Sequence, residues 1–402
     1  MYLSICLLVF LPLNLESFAY RLLSAFPVHL HRKSNEKIHR IMKIKNIFFA
    51  AILVLAGFSC SMEDDAIMND VEKGIEEATE AYTVLDFGVA FNEMATKAST
   101  TVVPGEDRPA TGDENNDEKK ISEVSVFLLE DGKVIGILIP QNRNQVSSNS
   151  DGSITLKDLK FVTKYKTNRT LEAHVVINGN QFLKNINIGD AQSALNQQIS
   201  GCLSADQLIK YGSTRIVFGK DITNSYSSPS VAENNPTTIL VKVSHVAARL
   251  DFSQFDVTLK GFEGDPTVVF DEAKFVNLQQ NGKIVEGDAS VNVKDGAFLN
   301  RSNRIGTKWT DMGTAYGYAN QYRQDSEMNT ALYVKFTVDG RTFEKTYPIN
   351  PAGITKEVDH NGIKGGYLYD IKVRWTITPD WGDSTIEFYT RDWVHNSIPE
   401  IV

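Results

Sequence analysis

Apolar and polar residues alternate with a period of two along much of the chain beyond residue 80. Neighbouring side chains of a β-strand point to opposite faces of its sheet, so this period predicts strands with one buried face. The first such strand has its apolar positions at Leu85, Phe87, Val89 and Phe91. Comparable runs continue from Ile121 almost to the end of the chain, and only residues 190–199 and 204–210 have the spacing of helices.

Seven turn dipeptides lie between or beside these runs: Asp131-Gly132, Asp151-Gly152, Asn178-Gly179, Asn281-Gly282, Asp295-Gly296, Asp339-Gly340 and Asn361-Gly362. Such dipeptides are the strongest local signal for hairpins between antiparallel strands. The predicted fold class is therefore mostly β, with two antiparallel β-sandwich domains. Polar residues and prolines displace apolar ones between residues 221 and 236, which predicts a first sandwich over 110–235 and a second over 236–402.

A polar linker separates the early strand from the predicted sandwiches. Its second half, residues 104–120, is rich in Gly, Pro, Asp, Glu and Asn. Loops of this length without structure are uncommon inside compact domains and are usually functional or open to proteolysis. Residues 60–109 are therefore assigned to a tether, the early strand and a cleavable linker.

The segment that begins at Met42 is typical of a secretory signal peptide. A short basic region precedes an apolar run over residues 47–58, which is too short to span a bilayer, and Ser59 and Cys60 follow. This pattern is that of a lipobox, in which the cysteine thiol is acylated. It predicts a signal peptide over 42–59 and lipidation at Cys60. Residues 1–41 fit nothing that follows them and are expected to be an extension of the gene model.

The charge of the chain argues against nucleic acid as a partner. It has 41 Lys and Arg against 50 Asp and Glu, a net charge of -9 at pH 7. The segment before Cys60 holds seven of the basic residues and two of the acidic ones, so the remainder is more acidic still. Nucleic-acid binders instead gather basic residues on one face. With Cys60 lipidated, Cys202 would be left alone in the folded body, so we expect no intramolecular disulfide.

No motif for catalysis, metal binding or cofactor binding is recognisable. There is no nucleophile elbow, phosphate-binding loop or dinucleotide fingerprint. We therefore predict no enzyme activity, no catalytic residue, no cofactor and no metal. Residues 147–158 resemble a degenerate calcium loop, but Ser147 replaces the first carboxylate and Asp158 the bidentate glutamate, so a hairpin tip is preferred. The histidines beyond Cys60 are widely spaced in sequence, at His174, His245, His360 and His395.

The C-terminal tail carries apolar residues beyond a break in the strand pattern at residues 378–383. They are Ile386, Phe388, Trp393 and Ile398. A free tail of this kind exposes large apolar side chains unless another surface covers it. Two interpretations stay open: a last strand that folds back on its own sandwich, and a strand that is donated to another molecule.

Several short motifs resemble those of the fimbrillin family, the type V pilins of Gram-negative anaerobes. They are the lipobox, Ala95-Thr96-Lys97-Ala98, and the segments 121–132, 246–251, 315–320, 329–335 and 391–394, scattered over most of residues 60–402. The resemblance implies sandwiches of transthyretin-like or Greek-key type, a detachable N-terminal strand and a C-terminal donor strand. The early-strand residues would fill a groove, and the four apolar tail residues would be the donor anchors.

The resemblance further implies a lipoprotein precursor of the outer membrane whose mature form lies in extracellular fimbriae and supports adhesion. A trypsin-like surface protease would cut the linker, with Lys97, Ala98 and Arg108 as the candidate positions. Lys97-Ala98 is preferred, because Pro109 follows Arg108 and hinders such an enzyme. Other fimbrial subunits, including anchor and tip proteins, would be the partners.

Other roles remain open beside that of a stalk subunit. An anchor subunit would retain its lipid and its early strand, and a tip subunit would not need a donor tail. A surface glycan-binding lipoprotein would use tryptophans as a stacking platform, although such residues are more often part of a β-sandwich core. The candidates for that platform are Trp309, Trp375, Trp381 and Trp393.

Overall fold

The computed structural model describes residues 80–91, 116–285, 287, 289–299, 304–354, 360–393 and 400–402. All of them belong to one compact unit, Glu76–Val402. Strands dominate these residues, which confirms the predicted mostly-β class. No helix in this part of the chain is both long and apolar enough to cross a membrane.

The first ten strands are β1 (Tyr82–Phe91), β2 (Lys120–Ile121), β3 (Val124–Glu130), β4 (Lys133–Leu138), β5 (Val146–Ser148), β6 (Ile154–Lys164), β7 (Thr170–Ile177), β8 (Gln198–Ser200), β9 (Lys210–Val217) and β10 (Thr237–His245). The next seven are β11 (Ala248–Leu259), β12 (Val268–Val276), β13 (Leu278–Gln279), β14 (Asn281–Lys283), β15 (Val293–Lys294), β16 (Lys308–Gly317) and β17 (Asn320–Gln321). The last six are β18 (Ala331–Val338), β19 (Arg341–Pro348), β20 (Gly362–Ile363), β21 (Tyr367–Ile377), β22 (Gly382–Asp392) and β23 (Glu400–Ile401). Short helices are α1 (Asn180–Leu183), α2 (Pro229–Glu233) and α3 (Pro351–Ile354), with 3₁₀ turns at Asn116–Lys119, Arg143–Gln145, Gln192–Leu195 and Ala205–Gln207.

The first sandwich is one sheet that turns back on itself, in the order β4-β3-β7-β9-β10-β1-β6-β5. β9 and β10 pair only where Lys210 and Tyr211 lie opposite the end of β10. Beyond that pair they diverge into two layers, β4-β3-β7-β9 and β10-β1-β6-β5. At the crossing, a Cβ on Gly212 would lie 1.8 Å from the backbone oxygen of Lys242, so a glycine is required there. Apolar side chains of both layers form one core.

The second sandwich packs the sheet β16-β11-β21-β22 on the sheet β12-β18-β19. Aromatic side chains fill the space between them. The rings of Phe255 and Phe336 meet edge to face with their centroids 5.3 Å apart, and Trp375 meets Phe336 in the same way at 5.1 Å. Such pairs add stability beyond the burial of their surface.

Two of the predicted hairpin turns have the expected geometry. Asp131 and Gly132 join β3 to β4 with φ values of 49° and 72°, and Asp339 and Gly340 join β18 to β19 with φ values of 46° and 82°. Positive φ at both positions is what a type I′ turn requires. Two other hairpin predictions are wrong, since Asn178-Gly179 leads into α1 and Asn281-Gly282 lies within β14.

The structure changes sheets one strand later than predicted. β10, which was expected to open the second sandwich, pairs with β1 and β9 in the first sheet, and the second sandwich begins at Ala248. The alternation of β10 resembles that of the strands after it, so the pattern does not reveal its sheet. The predicted helices over 190–199 and 204–210 are also wrong, because each segment contains a single 3₁₀ turn.

Candidate strand-binding groove

β1 lies in the centre of the first sandwich. Leu85, Phe87 and Val89 are completely buried and Phe91 is 6% exposed. They share one core with apolar residues of β3, β6, β7 and β10. We call the space that β1 occupies between β6 and β10 the β1 groove. All four apolar residues of the predicted early strand thus point into this groove.

Both edges of β1 are paired. It runs parallel to β10 from Leu85 to Phe91 and antiparallel to β6 from Tyr82 to Val89, with a bulge between Leu85 and Phe87. No other described strand joins β10 to β6 within the sheet. Removal of β1 would therefore expose two unpaired strand edges and the core between them.

The connection between β9 and β10 covers the outer face of β1. Tyr226 and Tyr82 exchange two backbone hydrogen bonds of 2.8 Å, and α2 then packs against β1 and β6. The ammonium of Lys160 donates to the backbone oxygen of Glu233 at 2.8 Å, which fixes the end of α2 on β6. We call residues 226–233 the strap. Val84 is fully buried without belonging to the inner core, as expected of a side chain on the face that the strap covers.

The middle of β1 has a tight fit on this outer face. A Cβ on Gly88 would lie 3.2 Å from a side-chain methyl of Leu240 and 3.2 Å from the backbone oxygen of Ile154. Asp86, two residues earlier, is partly buried and accepts a hydrogen bond from the backbone N–H of Phe87 at 2.9 Å. Loss of hydration raises the pKa of Asp86, while that hydrogen bond and the positive charge of Lys160 act in the opposite direction.

The C-terminal strand β22 lies at the edge of the second sandwich. It pairs with β21 along its whole length, from Gly382 opposite Ile377 to Asp392 opposite Tyr367. Phe388 is 6% exposed and Ile386 packs against the second core. The structure thus has the first of the two arrangements that the sequence left open, with β22 folded back on its own domain.

Trp393 directly follows β22, at the junction of the two sandwiches. It is 2% exposed, and its ring stacks on His245 of β10 at 3.7 Å and on Tyr316 of β16 at 5.8 Å. Its backbone N–H donates to the oxygen of Gly366 at 2.8 Å. The end of β22 is thereby held by residues of both sandwiches.

A buried ionic cluster lies close to Trp393. The carboxylate of Glu118, which is fully buried, accepts hydrogen bonds from the hydroxyl of Tyr316 and from Arg249, the latter at 3.0 Å. Arg249 also donates to Asp251 at 3.0 Å, and the ammonium of Lys210 donates to the backbone oxygen of Glu118 at 2.8 Å. Burial, followed by the charge of Glu118, raises the pKa of Tyr316. The cluster ties the segment that follows the linker to both sandwiches.

The last residues of the chain return to the first sandwich. β23 pairs parallel with β2, so that Ile401 lies opposite Ile121 and packs against the first core. The backbone N–H of Val402 donates to the oxygen of Ile121 at 2.9 Å, and Arg143 donates to the oxygen of Ile401 at 2.7 Å. The C-terminal segment is therefore attached to the second sandwich by β22 and to the first by β23.

Several predicted site residues lie outside the described residues. They are Cys60, Lys97, Ala98, Arg108 and Ile398. Of the tryptophans proposed as a glycan platform, Trp381 is 52% exposed and the other three are buried in cores. The four tryptophans therefore do not form a common stacking surface.

The calcium-like stretch is a hairpin tip. β5 ends at Ser148 and β6 begins at Ile154, and the backbone N–H of Asn149 donates to the oxygen of Ser153 at 2.8 Å. In the described ranges no three His, Cys, Asp or Glu side chains come close enough together to hold a metal ion. His174 is buried, with its ring 2.8 Å from the hydroxyl of Tyr211, and burial lowers its pKa.

Sequence reasoning did not find the strap, the ionic cluster or the pairing of β23 with β2. The strap contained one usable signal, because Ser228 followed by Pro229 is a helix start, and the hydroxyl of Ser228 caps the N–H of Val231 at 3.4 Å. The other two features depend on contacts between residues far apart in sequence, such as Glu118 with Arg249 and Ile121 with Ile401. No local pattern could reveal them.

The arrangement defines a two-sandwich protein with a central N-terminal strand and an edge C-terminal strand. No protein-family model and no curated protein matches the chain. A candidate cell adhesion protein from Parabacteroides distasonis ATCC 8503 superimposes with a TM-score of 0.53, at 17% identity, over 79% of this chain and 99% of the other. The chain therefore has the fold of that protein.

Two fimbrial proteins from Porphyromonas gingivalis are also among the similar structures. A fimbrilin from strain W83 aligns at 14% identity with a TM-score of 0.44, over 77% of this chain and 98% of the other. A tip fimbrial protein with a C-terminal truncation aligns at 11% identity with a TM-score of 0.43, over 78% of this chain and all of the other.

Proposed function

We propose that the chain is a structural fimbrial subunit of the fimbrillin type, exported as an outer-membrane lipoprotein precursor and polymerised by protease-triggered donor-strand exchange. One observation carries the proposal. β1 is the central strand of the first sandwich, yet it is followed by a polar segment, residues 92–115, before the next described residue. A cut in that segment would leave β1 attached to the fold by non-covalent contacts alone.

The groove left by β1 favours another strand as its occupant. It offers a row of backbone partners on β10 and on β6, and three of the four inward positions of β1 are completely shielded from water. An extended segment that fills such a site gains main-chain hydrogen bonds on both sides and buries alternate side chains. An empty groove would instead expose apolar core and unpaired strand edges.

β22 is the donor in this proposal. It has eleven residues against ten in β1, and it has one sheet neighbour where β1 has two. Transfer of β22 to the groove of another subunit would exchange an edge position for a central one. Each subunit then offers one groove and one donor, and such a head-to-tail contact does not close on itself, so a filament grows.

The processing events lie in the part of the chain before β2. We assign lipidation to Cys60 and cleavage to the Lys97-Ala98 bond, with Arg108 as a second position. β1 itself contains no Lys or Arg, so a trypsin-like enzyme would release it intact. Replacement of Lys97 and Arg108 together should abolish filament growth, and filaments from that double variant would rule out these positions.

The test of the function is limited trypsin treatment of residues 61–402, followed by intact mass measurement and electron microscopy. We expect filaments to appear together with loss of the segment through Lys97. A matched chain that ends at Thr378 should be cut in the same way and remain monomeric. Cleaved full-length protein that stays monomeric would contradict a stalk role and favour an anchor or a tip.

Adhesion and a cell-surface location follow from the same proposal. The solved structure that shares the fold is a candidate cell adhesion protein, and the fimbrial role also accords with the sequence motifs of residues 60–402. A glycan-binding lipoprotein is less well supported, because three of its four candidate tryptophans are buried.

A further inference from the structure

The two strands of the proposed exchange have matching sequences. Thr83-Val84-Leu85-Asp86-Phe87 in β1 corresponds to Ser384-Thr385-Ile386-Glu387-Phe388 in β22, with a conservative replacement or an identity at every position. We propose, on the basis of the proposed function, that β22 of a second copy of this chain enters the β1 groove in this register. Its Phe388 then takes the place of Phe87, in the same chain direction as β1.

The inward positions support this register. Ile386 has the volume of Leu85 and Phe388 repeats Phe87, whereas Thr390 has the shape of Val89 but brings a hydroxyl into the core. These positions face a close-packed core in which side chains of similar volume are tolerated best. A shift by two residues that puts Ser384 in the site of Leu85 would also put Ile386 in that of Phe87 and Thr390 in that of Phe91, leaving three underfilled positions. Phe388 would overfill the smaller site of Val89.

The outer face of β1 supports this register as well. Burial is the largest influence on the pKa of Asp86 and raises it, while the positive charge of Lys160 on neighbouring β6 acts in the opposite direction. In the proposed register Glu387 of the incoming strand takes the place of Asp86 and can pair with Lys160. In the structure Glu387 is paired within its own chain, with Arg374 at 2.6 Å, so the exchange replaces one ion pair by another.

The match has limits at the end of the strand. Tyr389 falls at the position of Gly88, where a Cβ lies 3.2 Å from Leu240 and from the backbone oxygen of Ile154. The incoming strand must shift by a few tenths of an ångström, and the half-exposed Leu240 must turn aside. Asp392 falls at the position of Phe91, so the correspondence ends at Thr390. The proposal therefore assigns recognition to the first half of β22.

Cysteine cross-linking tests the register. The chain is residues 61–402 with Cys202→Ser, and the donor subunit carries Thr390→Cys. Acceptor subunits carry either Ile154→Cys or Leu156→Cys, which lie on β6 opposite Val89 and Phe87 respectively. Both acceptor sites are completely buried, so each variant is the matched control of the other. Donor and acceptor are mixed, treated with trypsin, oxidised and separated on a non-reducing gel.

We expect the 390–154 pair to cross-link about tenfold more than the 390–156 pair, because directly opposed Cβ atoms meet disulfide geometry and diagonal ones do not. No dimer should form without trypsin. Filaments that cross-link through 390–156, or through neither pair, would overturn the register and leave the proposed function intact. Absence of filaments in the unsubstituted protein would overturn both.

A second measurement needs no substitution in the core. Filaments of the unsubstituted chain are treated with a carbodiimide, which joins an adjacent carboxylate and amine directly, and the peptides are identified by mass spectrometry. We expect a bond between Glu387 and Lys160 in filaments and none in the uncleaved monomer. Filaments without this bond would contradict the register, because a shift by two residues would place Thr385 or Tyr389 beside Lys160.

Discussion

β1 and β22 are similar in sequence and opposite in position. β1 is hydrogen-bonded on both edges in the middle of the first sandwich, whereas β22 is bonded on one edge at the rim of the second. The same run of an apolar residue, an acidic residue and phenylalanine therefore lies in a central strand of the first sandwich and in an edge strand of the second. The position of a strand in its sheet, rather than the composition of the strand, therefore decides whether the rest of the fold depends on that strand.

The attachments of the two strands also differ. β1 is followed by the polar segment 92–115, while the C-terminal segment is fixed at Trp393 and again at β23. β1 is thus held by hydrogen bonds to both of its sheet neighbours. β22 has a weaker place in its sheet and two further anchors, so its release requires those anchors to open.

The largest expected effect is a difference in stability loss when each of the two phenylalanines of the shared motif is replaced by alanine. Phe87→Ala should lower the free energy of unfolding by about 3–5 kcal/mol, because it leaves a cavity in a core that cannot collapse around a central strand. Phe388→Ala should cost about 2–3 kcal/mol, since an edge strand can relax towards the cavity. Urea unfolding of the uncleaved chain measures both values. Equal losses would show that the difference between centre and edge has no energetic meaning here.

The sequence predicted which face of a strand is buried, but it did not predict which strands are neighbours in a sheet. The inward direction of Leu85, Phe87 and Val89 follows from a period of two, which is a property of the strand alone. The partners of β1 lie more than sixty residues away along the chain, and β10 has the same alternation whichever sheet it joins. The sequence therefore could not place the change of sheet.

The turns show the same limit. Asp131-Gly132 was predictable because its positive φ values are set by the residues of the turn themselves. Asn281-Gly282 has the same local signal and lies in β14, where it pairs with β8 and where Tyr318 packs within 2.5 Å of a Cβ position on Gly282. That glycine allows a close approach rather than a turn, which depends on residues that are distant in sequence.

A second prediction concerns the anchor at the end of β22. Trp393→Ala should lower the free energy of local opening of β22 by about 2–3 kcal/mol, because a buried indole and its stacking on two rings are lost. Hydrogen exchange of the β22 amides should become faster while that of the β1 amides stays the same. Trp381→Ala is the matched control, since that side chain is 52% exposed. Equal acceleration in both strands would mean that Trp393 stabilises the whole unit rather than β22.

A third prediction uses the carboxylate of β1. Because burial raises the pKa of Asp86, the folded chain disfavours the charged form of this side chain. The contribution of Asp86 to stability is therefore fully present below its ordinary pKa, where the carboxyl group is protonated. This contribution is lost as the pH rises through the pKa of the folded state. Asp86→Asn should therefore raise the melting temperature at pH 7 and leave it nearly unchanged at pH 3. Calorimetry at the two pH values measures the difference.

The equivalent acid of β22 provides the contrast for this test. Glu387→Gln removes the ion pair with Arg374 and should lower the melting temperature at pH 7 slightly, since a partly exposed pair contributes about 0.2–1 kcal/mol. The two corresponding substitutions are thus expected to have opposite signs at neutral pH. A lower melting temperature for Asp86→Asn would show that the attraction of Lys160 outweighs the loss of hydration.

The smallest expected effect on the monomer lies at the tight fit over Gly88. Leu240→Ala should change the free energy of unfolding by less than about 1 kcal/mol, because the side chain is 52% exposed. It should nevertheless speed filament growth, because Tyr389 of the incoming strand no longer has to displace a leucine. The packing of β1 should not improve, because β1 has a glycine at this position. Light scattering after trypsin addition measures the rate, with Val291→Ala as the control, since that side chain is 53% exposed and lies outside the β1 groove. Unchanged growth for Leu240→Ala would mean that Tyr389 does not enter at Gly88, and the register of the exchange would have to be another.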